Sequence, residues 1–398
     1  MSKPATVKPK PRTSHPEQFQ SVPLLDLQRQ YQQIRDQVLA AVERVCSSQQ
    51  FILGAEVEAL ECEIAAFTGA VSAVGCSSGT DAVWLALVAV GVKTGDAVIT
   101  TGFSFFASAS AIVRAGARPV FVDVNPDTLN IDPRQVEARL RNGGMYKVRA
   151  LLPVHLYGQC AHMDALQEIA GEFELPIVED AAQAIGARWG NRSAGALGVA
   201  AAFSFYPTKN LSAYGEAGLV TARNADFAEH MRRLRNHGSP RRYHHDEMGW
   251  NCRMDAIQAA ILRVKLQYVE RWNQQRRQHA ATYDRLLADS GLLAAEGHAP
   301  VRVLQTPEQA HHVFHQYAIR ATRRDELRQF LTARKIGTEI YYPAPLHLQP
   351  CLAYLGYCEG DLPESERAAR EVLALPMFPE LTEAEQRWVV ESIAEFYG

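Results

Sequence analysis

Three short stretches set chemically active side chains directly after apolar runs: Ser77-Ser78-Gly79-Thr80-Asp81, Glu179-Asp180-Ala181-Ala182-Gln183, and Phe203-Ser204-Phe205-Tyr206-Pro207-Thr208-Lys209. Most lysines are simply solvated, but one placed among Phe203, Phe205, Tyr206 and Pro207 is in surroundings that depress an amine's pKa and make it nucleophilic. Ser204 and Thr208 put hydroxyls beside it. An aspartate at the end of a buried strand is costly unless it meets a cation or several donors. Capping the next helix is the plainer reading of Asp180, and a ribose-binding acid of a dinucleotide fold is a third. That third reading is weakened because neither G-x-G-x-x-G nor G-x-x-x-x-G-K-[ST] occurs. Hydroxyls, a glycine and free N–H groups opening a helix after Cys76 favour an anion such as phosphate, although Ser, Thr and Gly also cap helices in the ordinary way.

These stretches need strands behind them, and the apolar pattern supplies them. Short β-rich runs at 72–76, 97–100, 119–124, 150–154, 177–179 and 200–205 alternate with helical spacing at 80–90, 105–115, 133–141 and 163–173. Such alternation predicts an α/β fold built of βαβ units, with a mainly parallel sheet buried on both faces and ligands beyond the carboxyl ends of its strands. Helical spacing also covers 24–45 and 56–67, and one long helix is expected from 255 to 287. Strands near 317–320 and 337–342 and a final helix from residue 383 predict a smaller α+β domain. At 398 residues the chain exceeds the roughly 250–300 that one core serves. The expected division is a disordered basic tail over 1–20, a large domain over 21–268 and a small C-terminal domain over 269–398.

Composition narrows the chemistry. A net charge of −3 offers no basic field for nucleic acid, and 47% hydrophobic residues are ordinary for a globular protein. Seven scattered cysteines without a C-x-x-C pair point to neither a disulfide framework nor zinc, and suit a reducing cytoplasm. No apolar run reaches the roughly 18 residues of a membrane span. The histidines of His311-His312-Val313-Phe314-His315 lack a third ligand set at suitable spacing, so they read as structural and no metal is expected.

A phosphate cup, a cation-seeking carboxylate and a desolvated lysine at three strand ends are together what pyridoxal 5′-phosphate (PLP) requires for its phosphate, ring nitrogen and aldehyde. At this point the chain resembles a known family. GCSSGTDAVWLAL, TGFSFFASASAI, VHLYGQ, VEDAAQAIGA, FSFYPTKNLSAYGEAG, HGSPRRYHH, GWNCRMDAIQAAIL and YYPAPLHLQP follow in an order similar to that of the DegT/StrS-type nucleotide-sugar aminotransferases. These are PLP enzymes of the aspartate-aminotransferase fold (fold type I), and the likeness runs from about residue 22 almost to the C-terminus.

The resemblance implies roles. Lys209 would hold the cofactor covalently through its aldehyde and then carry a proton between substrate carbon and cofactor; Asp180 would pair with the ring nitrogen, and Gln183 with the phenolic oxygen. Gly79, Thr80 and the Ser204 hydroxyl would hold the phosphate, with Asn251 of a neighbouring subunit completing the cup, so a homodimer with an interfacial site is expected. Phe105 would stack on the ring, with Phe103 and Phe106 as open alternatives. Tyr243, His244, Arg253 and His347 fall in segments that approach the sugar, and Arg241 or Arg242 would meet a pyrophosphate.

The implied reaction is ping-pong transfer of an amino group from an amino acid, glutamate by expectation, to a nucleotide-linked keto-sugar. UDP- or dTDP-3-keto sugars are preferred to 4-keto sugars. The rivals are a PLP-dependent sugar dehydratase, which would carry histidine in place of Lys209, a regulatory protein on the same fold, and an NAD-dependent oxidoreductase. One departure stands out: Gly215-Glu216-Ala217-Gly218 has alanine where the family often has glycine. A positive φ at 217 would cost about 1 kcal/mol.

Overall fold

The computed structural model describes residues 21–143, 146–293 and 299–398. The expected tail over 1–20 lies outside them. Helices α1 (Leu27–Ser48) and α2 (Ala55–Thr68) lead into an alternating series: β1 (Ser72–Cys76), α3 (Gly79–Ala89), β2 (Asp96–Thr101), α4 (Ala107–Arg114), β3 (Arg118–Val122), α5 (Pro133–Arg141), β4 (Lys147–Leu152), α6 (Met163–Glu172) and β5 (Val178–Asp180). A small ribbon, β6 (Arg188–Trp189) and β7 (Arg192–Ser193), precedes β8 (Ala200–Ser204) and β9 (Gly218–Ala222). Then follow α7 (Ala225–Leu234), α8 (Ala256–Leu266), α9 (Val269–Asp289), β10 (Val301–Val303), β11 (Ala310–His311), β12 (Tyr317–Ala321), α10 (Arg324–Ala333), α11 (Pro363–Glu371), β13 (Val372–Leu375) and α12 (Glu383–Tyr397).

Strands run in the order β1-β9-β8-β5 in one ladder and β3-β2-β4 in another, and parallel bridges Leu151–Ile177 and Val154–Asp180 join β4 to β5. The joined sheet is parallel except for β9, which is antiparallel to both of its neighbours. The mainly parallel α/β expectation therefore holds. Because side chains alternate along a strand, neighbouring residues feed opposite cores. Ala73, Ile99, Phe203 and Leu219 join one core with α2 and α6, whereas Val74, Val98, Ala202 and Val220 join the other with α3, α4 and α7. Helix α3 carries Trp84, Leu85 and Leu87 in that second core and is apolar nearly all round, as a helix covered on every side must be.

A third core gathers Val22, Tyr283, Leu287, Ile319, Leu373 and Ile393 around the antiparallel ladder β10-β12-β13. Helix α9 bridges the cores, since Val269 packs in the first and Tyr283 in the third. This explains why the expected single helix over 255–287 is two. The chain turns at Gln267–Tyr268, and α9 then runs on from the first core at Val269 to the third at Tyr283. The strand expected at 337–342 is reduced to one bridge, Glu339–Ala374. Pro343 and Pro345 follow it and cannot donate to a ladder.

Candidate functional site

The ends of β1, β5 and β8 open on one side of the sheet, and the chain is pressed close there. A Cβ on Gly79 would lie 2.5 Å from Ser204 Cβ, and one on Gly218 would lie 2.2 Å from the Ser78 carbonyl oxygen. The start of α3 is thus seated against the end of β8 and the start of β9. Ser78 caps α3 by accepting from the Asp81 N–H at 3.1 Å, and the Ser77 and Ser78 hydroxyls donate to the Asp81 carboxylate at 2.5 and 2.8 Å. The N–H groups of Gly79 and Thr80, in the first turn, have no acceptor within the helix. With the Ser204 hydroxyl beside them they form a small anion cup that a side chain at 79 would fill.

Two charged groups flank this cup. Asp180 ends β5 and is buried; its carboxylate accepts from the Ser108 hydroxyl at 2.7 Å and the Ala182 N–H at 3.2 Å, and Ser104 lies 3.1 Å behind Ser108. Burial pushes the Asp180 pKa up, while these hydrogen bonds and the positive charge of Lys209 oppose the rise. Lys209 sits at the close of a turn in which its N–H donates to the Tyr206 carbonyl at 2.9 Å. Desolvation lowers its amine from the ordinary 10.5 to about 8, against the pull of Asp180. Among the described residues the two form no direct ion pair. Glu179, one residue earlier on the strand, faces the other way and is wholly buried. It accepts from the N–H groups of Gly195, Leu197 and Gly198 at 2.9, 2.9 and 2.7 Å and meets His155 Nε2 at 2.9 Å.

Gln183 follows in the loop after β5. Its carbonyl oxygen accepts from the Tyr157 N–H at 2.6 Å, and its amide donates to the Tyr342 hydroxyl at 2.9 Å. Tyr342 was not singled out from the sequence, although YYPAPLHLQP contains it. It comes from a remote part of the chain and brings its ring to 6.1 Å from Phe105 and 5.9 Å from Phe103. Of the three phenylalanines in this segment, Phe103 is buried in a core cluster, Phe106 is partly exposed, and Phe105 is 59% exposed. Ser108 was also missed, because a hydroxyl in the small-residue helix Ala107–Arg114 carries no signal of its own.

The residues expected near a sugar are not brought together. Tyr243 is 80% exposed, at φ +64°, with the Arg242 guanidinium 4.9 Å over its ring, and His244 next to it is exposed. Arg253 donates to Asn251 Oδ1 at 3.0 Å and to Asn236 Oδ1 at 3.2 Å. Asn251 is exposed, and its neighbour Cys252 accepts from the Ser77 N–H at 3.1 Å, so the segment adjoins the rim of the cup in its own chain. His347 is wholly buried, with Nε2 at 3.1 Å from Glu366, and offers no surface to a ligand as it stands. Its segment folds inward on Leu346, Leu352 and Leu355, which carries the imidazole into the core.

In the loop before β9, Ala217 is buried with an ordinary negative-side φ, and its carbonyl accepts from the Phe205 N–H at 2.9 Å. The glycine that the geometry demands is Gly218, so the alanine adds no backbone strain. Among the described residues no group of three or more His, Cys, Asp or Glu side chains is arranged to hold a metal, and no helix is long and apolar enough to cross a membrane.

Residues 32–394 match the profile of the DegT/DnrJ/EryC1/StrS aminotransferase family. The chain is 52% identical over 380 residues to a pleiotropic regulatory protein of Geobacillus stearothermophilus, covering 95% of this chain and 99% of the relative. It is 43% identical over 375 residues, 94% and 96% of the two chains, to a dTDP-3-amino-3,4,6-trideoxy-alpha-D-glucose transaminase of Streptomyces venezuelae. In three dimensions it is similar to S. venezuelae DesV, solved in complex with a ketimine intermediate. The TM-score is 0.89, the identity 42%, and the match covers 94% of this chain and 98% of that one.

Proposed function

The chain belongs to the DegT/DnrJ/EryC1/StrS aminotransferase family, and on that premise we propose that it transfers an amino group from L-glutamate to carbon 3 of a UDP- or dTDP-linked keto-sugar. It is an aminotransferase, and its cofactor is PLP. The residues at the strand ends fit that group: an anion cup held open by glycines, a buried carboxylate, and an amine lowered to about 8. When bound, PLP supplies an electrophilic carbon and a ring that accepts electrons from the substrate carbon.

The chain's own residues do the rest. Gly79, Thr80 and Ser204 bind the phosphate. The Asp180 carboxylate, held by the Ser108 hydroxyl and the Ala182 N–H, would meet the ring nitrogen. Phe105, 59% exposed, would lie against the ring. With a pKa of about 8, roughly a tenth of Lys209 is free amine at pH 7, against well under a thousandth for an ordinary lysine. Its Nζ can therefore hold a proton or release it at the substrate carbon. The Gln183 amide, which donates one N–H to the Tyr342 hydroxyl, has a second N–H that would meet the phenolic oxygen. Donor and acceptor use this one pocket in turn. Asn251, exposed on the rim, fits the cup of a second copy in a homodimer.

The observation that carries this reading is the lowered lysine amine held near, but not paired with, a buried aspartate beside an anion cup. Carbon 3 rests on the named product of the S. venezuelae relative. The name of the Geobacillus relative favours a second reading, in which the PLP-loaded protein also regulates. The test mixes the amino form of the loaded protein with UDP- and dTDP-linked 3-keto and 4-keto sugars and follows the visible spectrum. A 3-keto sugar should restore the original band; response only to 4-keto sugars would move the chemistry to carbon 4. A stable band that no acceptor alters would favour the regulatory reading. A protein that gains no band with PLP, and no borohydride-fixed label on Lys209, would sink both.

A further inference from the structure

The histidines of 311–315, read from sequence as structural, reach the turn that carries Lys209. Asn210, the next residue, is buried and its amide is fully engaged. Nδ2 donates to Asn273 Oδ1 at 2.8 Å and to the Val313 carbonyl at 3.2 Å, and Oδ1 faces His315 Nδ1 at 3.1 Å. The Val313 carbonyl can only accept, which fixes the amide's orientation; Oδ1 must then accept, so His315 carries its proton on Nδ1. Its Nε2 is left as an acceptor toward the Gln316 amide at 3.5 Å. Asn273 of α9 hands its own N–H to the Ile185 carbonyl at 2.9 Å.

Space for this network is built in. A Cβ on Gly186 would lie 2.6 Å from Asn273 Nδ2, and one on Gly158 would lie 3.0 Å from the His315 backbone nitrogen, and both glycines have positive φ. A buried network with its polar atoms satisfied rigidifies what it touches. Here it ties α9, the 311–315 segment and the Lys209 turn at one point.

We propose that Asn210 and His315 are positioning residues for Lys209: the imidazole anchors Asn210 through Nδ1, and Asn210 fixes the backbone from which the lysine projects. The proposal rests on the reading of Lys209 as the reactive amine. The charged and titratable groups bearing on His315 are Lys209, Arg276 of α9 and His312; burial, joined by their charges, holds its pKa well below the usual value. The charge opposing burial at Lys209 is that of Asp180.

The test reads the lysine directly. In apo-protein, the rate at which acetic anhydride labels Lys209 is followed against pH by peptide mass mapping; in holoprotein, kcat and KM are measured. His315→Phe keeps a ring without a donor, Asn210→Leu removes the link, and His315→Asn restores an N–H near the position of Nδ1. In the first two the freed lysine should gain water, its labelling midpoint rising by half a unit or more toward 10.5, with kcat down at least tenfold and KM little changed. His315→Asn should recover most of both. Folded variants with wild-type midpoints and kcat would overturn the proposal, as would global unfolding of both apolar variants, which would assign the network to the scaffold. Absence of a Lys209-linked band in wild-type holoprotein would sink the enzyme reading instead, and the apo-protein midpoints would still report on the network.

Discussion

The floor of the site and its rim are built on opposite plans. On the floor, Gly79, Asp180, Ser204 and Lys209 stand at strand ends, packed until a methyl group no longer fits at residue 79, with Asp180 tied by hydrogen bonds from Ser108 and Ala182. On the rim, Tyr243 and His244 stand in water on a loop, and Asn251 leans on Arg253. The floor is preorganised by its own chain. The rim residues stand exposed, so the fold loses little when they are changed. Preorganised groups supply rate, because their orientation is settled before the substrate arrives; mobile groups supply selection.

Substitutions can break or sharpen this contrast. If Lys209 is the proton carrier proposed above, Lys209→Ala should cut single-turnover amino transfer by about four orders of magnitude and abolish the borohydride label. Asp180→Asn should lower kcat roughly 100- to 1000-fold with modest change in cofactor affinity, measured by steady-state kinetics and PLP titration.

The lysine should also cost stability, with a sign that pH reveals. Its folded pKa of about 8 lies below the ordinary 10.5, so between those values the unfolded chain binds more protons and apo-protein stability rises with pH. Below pH 8 the full penalty is present, on the order of 3 kcal/mol before the loss of a partner for Asp180 is counted. Lys209→Met should therefore stabilise apo-protein at pH 7, with the gain fading from pH 8 to 10.5, as denaturant titrations would show. A gain that grew with pH would contradict the burial argument.

Gly79→Ala should weaken PLP binding about tenfold by filling the cup, read by equilibrium titration. At the rim, Tyr243→Ala should shift unfolding by less than about 0.5 kcal/mol and change only the KM for the sugar, a few-fold. A collapse of kcat there would erase the distinction between floor and rim.

The floor was legible because each of its groups interrupts an apolar strand: Asp180 after Ile177-Val178 and Lys209 after Phe203 and Phe205 declare themselves by being out of place. The parallel sheet was legible for the same reason, since strands buried on both faces read as continuous apolar runs. Ser108 was not legible, because one hydroxyl among alanines and serines looks like filler until Asp180 is seen 2.7 Å away. Tyr342 needed the chain to fold back over Gln183, a contact spanning 159 residues that no local pattern records. His347 shows the reverse case, a side chain in a matched motif that folding turns toward Glu366. The break at Tyr268 was hidden because helical spacing continues through it, with Val269 beyond it still packing in the first core.

Glu179 and Asp180 are consecutive acids at one strand end, one locked into three backbone N–H groups and a histidine, the other turned to the site. A slip of β5 by one residue would turn both acids to the opposite faces of the sheet, taking Glu179 off those donors and Asp180 off Ser108. The scaffold acid thereby proofreads the strand: a chain assembled in the wrong frame loses four hydrogen bonds before it can ever fail at chemistry.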